Sequence, residues 1–280
     1  MQVIESVHSM QELAVNLRTQ GRLIGLVATS GALHDGHLSL VKKAQEQADT
    51  VVLSIFVNPR EFGPNEDFAR YPRSREADLE KARAAGVDVV FIPTEEEMYP
   101  SRYSTMVSEE RRAQGLCSIS RPHYFRGACT VYAKLFNLVR PDLVVMGRRD
   151  PQLVAVIRKM ADDLHFPVEI EVGEVVRESD GLAMSARNVY LNEFQRKDAA
   201  ALYNALSEGQ KLVDNGIRNV DRVLAEVTHH ITQLRRLRVI YVAAVDPETM
   251  QPRREIVIGE TLIVTAVWCD EVRLIDNILL

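Results

Sequence analysis

Residues 51–57, Val-Val-Leu-Ser-Ile-Phe-Val, run without a charge and stop at Asn58-Pro59. A strand that is apolar at consecutive rather than alternate positions is covered on both faces, the usual condition of a parallel strand between two layers of helices. The neighbouring sequence repeats that demand. Residues 22–28 read as a strand, and 36–48 as a helix with Leu38, Val41 and Ala44 or Ala48 on one face. A helix over 74–85 opens at a serine, carries acids in its first turns and ends at Gly86. Strand 88–92, helix 128–138, strand 142–146 and helix 151–163 continue the alternation. The expected fold is α/β, a doubly wound parallel sheet.

The pattern changes after about residue 175. Residues 193–214 and 219–235 read as helices, whereas 239–245 and 262–268 read as strands with no crossover helix between them. This predicts two domains: 1–175 with the parallel sheet, and 176–280 as a smaller α+β domain. A chain of 280 residues is long enough for two cores.

Composition narrows the function classes. A net charge of -5 provides no broad basic field for a polyanion, which argues against nucleic-acid binding. No apolar run approaches the roughly 20 residues needed to span a bilayer, and the N-terminal residues do not read as a signal peptide. Cys117, Cys129 and Cys269 are odd in number and include no C-x-x-C pair, which fits a reducing cytoplasm better than a disulfide framework or a zinc knuckle. His229-His230 has no acidic or cysteine partner at ligand spacing, and no residue is assigned to a metal. Glu95–Glu97 reads as a solvated helix start.

Three short motifs carry chemistry. His34-Asp35-Gly36-His37 follows the first long strand and opens the next helix. Gly36 lets the backbone approach a ligand, the helix N-terminus offers free N–H groups, and two imidazoles can donate to phosphate oxygens. The competing reading is a turn in which one ring caps the helix. Met184-Ser185-Ala186-Arg187-Asn188 lies just past the expected boundary and pairs a hydroxyl with a guanidinium, which suits phosphate. Gly147-Arg148-Arg149-Asp150 ends a predicted strand, where ligands bind in such sheets. A basic residue there can reach phosphates and Asp150 can accept from a ribose hydroxyl. Two such motifs from two domains match a nucleotidylyltransferase-like arrangement that positions an α-phosphate for attack and needs no covalent nucleophile.

Segments 31–41, 52–63, 71–73, 121–142, 147–153, 156–164, 176–188 and 273–277 together make the chain resemble the pantoate–β-alanine ligase (pantothenate synthetase) family over nearly its whole length. The resemblance implies a Rossmann-like N-terminal domain, a C-terminal lid domain and a homodimer. It also implies a two-step reaction, in which ATP with Mg2+ adenylates a carboxylic acid and an amine then displaces AMP. The implied partners are therefore small molecules. By the same resemblance His34, His37, Ser185 and Arg187 meet phosphate, Gly147 and Asp150 meet the ribose, the Val176 backbone meets adenine, and Asn58 matches the asparagine after the apolar strand.

The acid side departs from the family pattern. Ala28-Thr29-Ser30 replaces Pro-Thr-Met. Glu61 and Leu153 stand where two glutamines hold pantoate, Tyr124 where a histidine is usual, Arg149 for a lysine, Pro151 for an aromatic and Ala186 for a second serine. Losing a partner for a buried polar group costs about 1–3 kcal/mol, and a carboxylate at Glu61 would repel the substrate's own. The sequence therefore favours an acyl-adenylate ligase for an acid other than pantoate. The alternatives are authentic pantothenate synthesis, an ATP-binding pseudoenzyme, and a plain nucleotidylyltransferase.

Overall fold

The computed structural model describes residues Met1–Leu280, which divide into two compact units. The first unit comprises Met1–Glu110, Arg121–Arg148 and Val156–Glu174; the second comprises Arg111–Ser120, Arg149–Ala155 and Val175–Leu280. The second unit thus takes in two short segments, 111–120 and 149–155, as well as the C-terminal stretch.

The first unit is built on a six-stranded parallel sheet. Its strands are β1 (Gln2–Ile4), β2 (Ile24–Thr29), β3 (Thr50–Ile55), β4 (Val89–Phe91), β5 (Leu143–Gly147) and β6 (Glu169–Gly173), in the order β1-β4-β3-β2-β5-β6. Every residue of β3 is buried, as its charge-free sequence demands. Helices α1 (Val7–Thr19), α2 (Asp35–Gln45), α3 (Arg75–Ala84), α4 (Glu95–Met98) and α6 (Tyr124–Val139) belong to this unit. Leu40, Val41 and Ala44 of α2 pack with Val27, Leu53 and Val145 in one core cluster. The strand order reverses between β2 and β5, so the crevice outside their carboxyl ends is the place where sheets of this kind take ligands.

The second unit holds α5 (Cys117–Ser120), α8 (Glu193–Asp214), α9 (Val220–Thr232) and a three-stranded antiparallel sheet, β7 (Leu237–Val245), β8 (Leu262–Cys269) and β9 (Val272–Leu279). Asn192 and Gln195 form a reciprocal capping box at the start of α8. Leu202, Leu206, Val223, Val227 and Ile231 of the two helices form one core with Ile263 and Val267 of β8. Helix α7 (Pro151–Asp163) has its first five residues in the second unit and the remainder in the first.

The parallel sheet and the smaller α+β unit match the fold expected from the sequence. Several bounds differ. β3 ends at Ile55, two residues short of the expected strand, and α2 ends at Gln45, three short of the expected helix. α6 starts at Tyr124, four residues before the expected start. β1, α1, β6 and β9 are elements that the sequence pattern does not predict.

Candidate active site

The turn after β2 is held from beneath. Asp78 on α3, only 2% exposed, accepts from the backbone N–H of Ala32 (2.9 Å) and Leu33 (2.7 Å). Lys81, one turn later, donates to the Leu33 carbonyl at 2.6 Å. Gly31 takes φ +77°, and a Cβ there would lie 3.0 Å from Asp78 Oδ2 and 3.1 Å from Ile55. Ala32 follows in the left-handed region at φ 50°, a strained conformation of the kind found at sites that fix a loop for function.

This turn delivers His34 and His37 to the N-terminus of α2. Their rings stack with centroids 4.0 Å apart and planes inclined by 23°. His34 occupies the N-cap position but makes no side-chain cap hydrogen bond, which removes the helix-capping reading of its ring. Its carbonyl accepts from His37 N–H at 2.8 Å, and Gly36 sits in the first helical turn with its carbonyl accepting from the Ser39 hydroxyl. Two imidazoles and the N-terminal end of a helix therefore share one position at the carboxyl end of β2.

Other expected residues of the first unit gather at the carboxyl end of β3. Asn58, 1% exposed, accepts from Arg60 N–H at 3.1 Å and from the Tyr99 hydroxyl at 2.9 Å. Its Nδ2 donates to Glu61 Oε1 (3.0 Å) and to the Gly127 carbonyl (3.1 Å). Arg121 donates to both Glu66 carboxylate oxygens and to the Glu61 carbonyl, and lies 4.1 Å over the Tyr124 ring. Burial opposes the Arg121 charge, but Glu66, Tyr124 and Glu61 more than offset it and hold the guanidinium above its ordinary range. Burial, with Glu61 adding, likewise raises the Tyr99 hydroxyl. A cavity of about 330 Å³ opens nearby and is lined by Ser30, Gly31, Phe56, Phe68 and Arg73 among others.

The second unit carries the remaining residues. Asp150 Oδ1 accepts from Leu153 N–H at 3.1 Å at the start of α7. Ser185 Oγ accepts from Arg187 N–H at 3.2 Å and caps a 3₁₀ turn over Ala186–Tyr190. The Val176 carbonyl accepts from Met184 N–H, which ties the two ends of the segment together. Arg149 and Ser185 line one cavity. Gly147, the last residue of β5 in the first unit, is in register with Gly173. Leu153 is half-buried.

Residues without an expected role hold these in place. Gln152, 2% exposed, accepts from Cys117 N–H at 3.0 Å and donates to the carbonyls of Arg112 and Gln114. Asn277 Nδ2 donates to the Arg149 carbonyl at 3.3 Å. Arg177 grips buried Asp276 through two hydrogen bonds of 2.6 and 2.9 Å. His229-His230 proves to have an acidic neighbour after all, Glu226 at 3.1 Å from His230. No group of three or more His, Cys, Asp or Glu side chains is arranged to hold a metal ion, and no helix is long and apolar enough to cross a membrane.

The model of the family described as "Pantoate-beta-alanine ligase" matches residues 2–279. The chain belongs to that family. Among its relatives, pantothenate synthetase of Moorella thermoacetica is 47% identical over 280 residues, covering 100% of this chain and 99% of that protein. The enzyme of the same name from Heliobacterium modesticaldum is 48% identical over 277 residues, covering 99% and 98%. Of solved structures, pantothenate synthetase from Thermus thermophilus superposes with a TM-score of 0.93 at 39% identity, covering 100% of this chain and 99% of that one. A pantoate–β-alanine ligase from Francisella tularensis, solved with β,γ-ATP and β-alanine, gives 0.80 at 29% identity over 100% and 97%. The chain is thus an ATP-dependent, amide-forming ligase of the pantoate–β-alanine ligase family, Rossmann-like in its parallel-sheet unit.

Proposed function

We propose that this ligase joins pantoate to β-alanine. A pantoate carboxylate oxygen attacks the α-phosphorus of ATP, the bond from that phosphorus to the pyrophosphate oxygen breaks, and an acyl adenylate forms. The β-alanine amine then attacks the acyl carbon, the bond to AMP breaks, and the nitrogen loses a proton as the amide forms. The observation that carries this reading is the stacked His34–His37 pair on an uncapped helix N-terminus, in a chain matching the family over residues 2–279. Preorganised donors at that position stabilise negative charge as pyrophosphate departs. The relative solved with β,γ-ATP and β-alanine supports the choice of nucleotide and amine.

Arg149, Ser185 and Arg187 are assigned to phosphate, Gly147 and Asp150 to the ribose, the Val176 backbone to adenine, and Gly36 and Asn58 to the nucleotide's surroundings. Ser30, Glu61, Tyr124 and Leu153 are assigned to the acid. Mg2+ would be carried by the phosphates of ATP as part of the nucleotide substrate and would supply positive charge beside Arg149, Ser185 and Arg187. The homodimer implied by the family resemblance is read by light scattering of the purified chain.

A second reading, a different acid, is favoured by one observation. The Glu61 carboxylate, standing where the family resemblance puts a glutamine, accepts from Asn58 and has no N–H to offer a substrate. Pyrophosphate exchange into ATP across a panel of acids decides between the two. Exchange dependent on pantoate, with AMP release on adding β-alanine, supports the first reading. Exchange with another acid and none with pantoate supports the second. Nucleotide binding without exchange for any acid leaves a pseudoenzyme.

A further inference from the structure

The C-terminal stretch Arg273–Asn277 resembles the family's, yet none of the roles assigned above uses Arg273. Its side chain lies among the groups around Arg149. Arg149, Ser185, Asn188, Arg273 and Asp276 line a single cavity of about 10 Å³, room for one water-sized oxygen atom. Asp276 is the acid in that wall, and its charge is already matched by Arg177 in the bidentate pair. Arg149 and Arg273 have no carboxylate within ion-pair distance. Arg273 donates to the Cys117 sulfur at 3.4 Å, a weak acceptor for a guanidinium, and its Nε–H is buried with no hydrogen-bond partner. Asp150, in the adjoining cavity that shares Arg149 and Asp276, accepts from Leu153 N–H. The wall therefore carries cationic charge in excess of its acids, an unsatisfied buried donor and a serine hydroxyl around a space the size of one oxygen. Leaving such groups without an acceptor is costly, and an anionic oxygen satisfies them together.

We propose that Arg273 is a phosphate-binding residue, seating one non-bridging phosphate oxygen with Arg149 and Ser185. The assignment rests on the proposed ligase chemistry for its ligand and goes beyond it in the residue. The phosphate belongs either to the nucleotide's α position or to the pyrophosphate, and the two sources are separable. Binding of inorganic pyrophosphate and of AMP is titrated calorimetrically against the full-length wild type, R273Q and R273K, with the melting temperature of each recorded. The expected result is a loss of about tenfold to a hundredfold in R273Q for one of the two probes, the range for a hydrogen bond to a charged group. R273K, which keeps the charge but not the Nε–H, falls severalfold. Wild-type affinity of R273Q for both probes overturns the proposal and leaves Arg273 a structural contact to Cys117, whose loss lowers the melting temperature alone. Should R273Q not fold, R273K decides: severalfold weakening supports the proposal, and wild-type affinity overturns it. A wild type that binds neither probe overturns it together with the ligase reading, whereas binding unaffected by either variant overturns it alone.

Discussion

At the scale of single residues, His34 and His37 were legible because a four-residue motif fell where a strand gives way to a helix. Asp78 was not, since nothing in Arg-Glu-Ala-Asp-Leu separates one buried carboxylate from its solvated neighbours. Only the structure shows it holding Ala32 and Leu33. The same holds for Gln152, whose amide is invisible as a clasp until segment 111–120 is seen against it. His34→Ala and His37→Ala should each lower the pyrophosphate-exchange rate by roughly 10²–10³-fold. The melting temperature of His34→Ala should stay close to wild type, because the His34 side chain makes no cap hydrogen bond. A helix-capping role would reverse the pattern, and both quantities are read on the same two variants. On the acid side, Glu61→Gln and Leu153→Gln each return a side-chain amide. If these positions weaken pantoate binding, the variants should lower the KM for pantoate, each by up to about tenfold to a hundredfold, the worth of one partner for a buried polar group. Robust pantoate turnover by the wild type with no gain in the double variant would sink the idea of a rebuilt acid pocket.

At the scale of elements, the strands found from sequence were those long enough or apolar enough to stand out, such as β2, β3 and β8. β1 has only three residues, and β6 carries Glu169 and Glu171, so neither gives an unbroken apolar run. In β9 only the Arg273–Asn277 motif stands out in the sequence, because polar residues interrupt its pattern while Asp276 and Asn277 are in fact buried. α6 begins four residues earlier than expected, although its Tyr124 and Phe125 are buried like the rest of its inner face. That helix meets the 3₁₀ turn over Pro59–Glu61 at Gly127, where an added Cβ would lie 2.3 Å from the Arg60 carbonyl oxygen and 2.7 Å from Glu61 N. Both are backbone atoms and cannot swing aside. Gly127→Ala should cost about 1–3 kcal/mol of stability by overpacking. It should also raise a substrate KM, since the displaced turn carries Glu61 and follows Asn58. A melting curve and a KM measured on this variant test both halves, and an unchanged melting temperature would refute the packing argument.

At the scale of the whole molecule, all three cysteines are free and buried. Burial pushes the Cys129 thiol from its ordinary 9.0 up to about 12 and Cys269 up to about 11, and it raises Cys117 as well. Burial also raises Tyr99 and Tyr241. These acids stay protonated in the native state at pH values where the unfolded chain releases their protons. The thiol contribution to stability is therefore intact below about pH 9 and lost as pH climbs towards the folded-state values. Urea midpoints taken from pH 8 to 11 should fall steadily above 9, and a flat profile would contradict the burial. The sequence pattern places a single cut at 175/176, and composition along the chain cannot reveal which unit a ten-residue segment joins. Segments 111–120 and 149–155 are flanked on both sides by the first unit and belong to the second. Neither unit is therefore a continuous stretch of gene. Recombination at one junction between two relatives would hand the second unit a foreign Arg149–Ala155 and a foreign Arg111–Ser120 while leaving its C-terminal sheet native. A single crossover therefore cannot transfer the second unit whole.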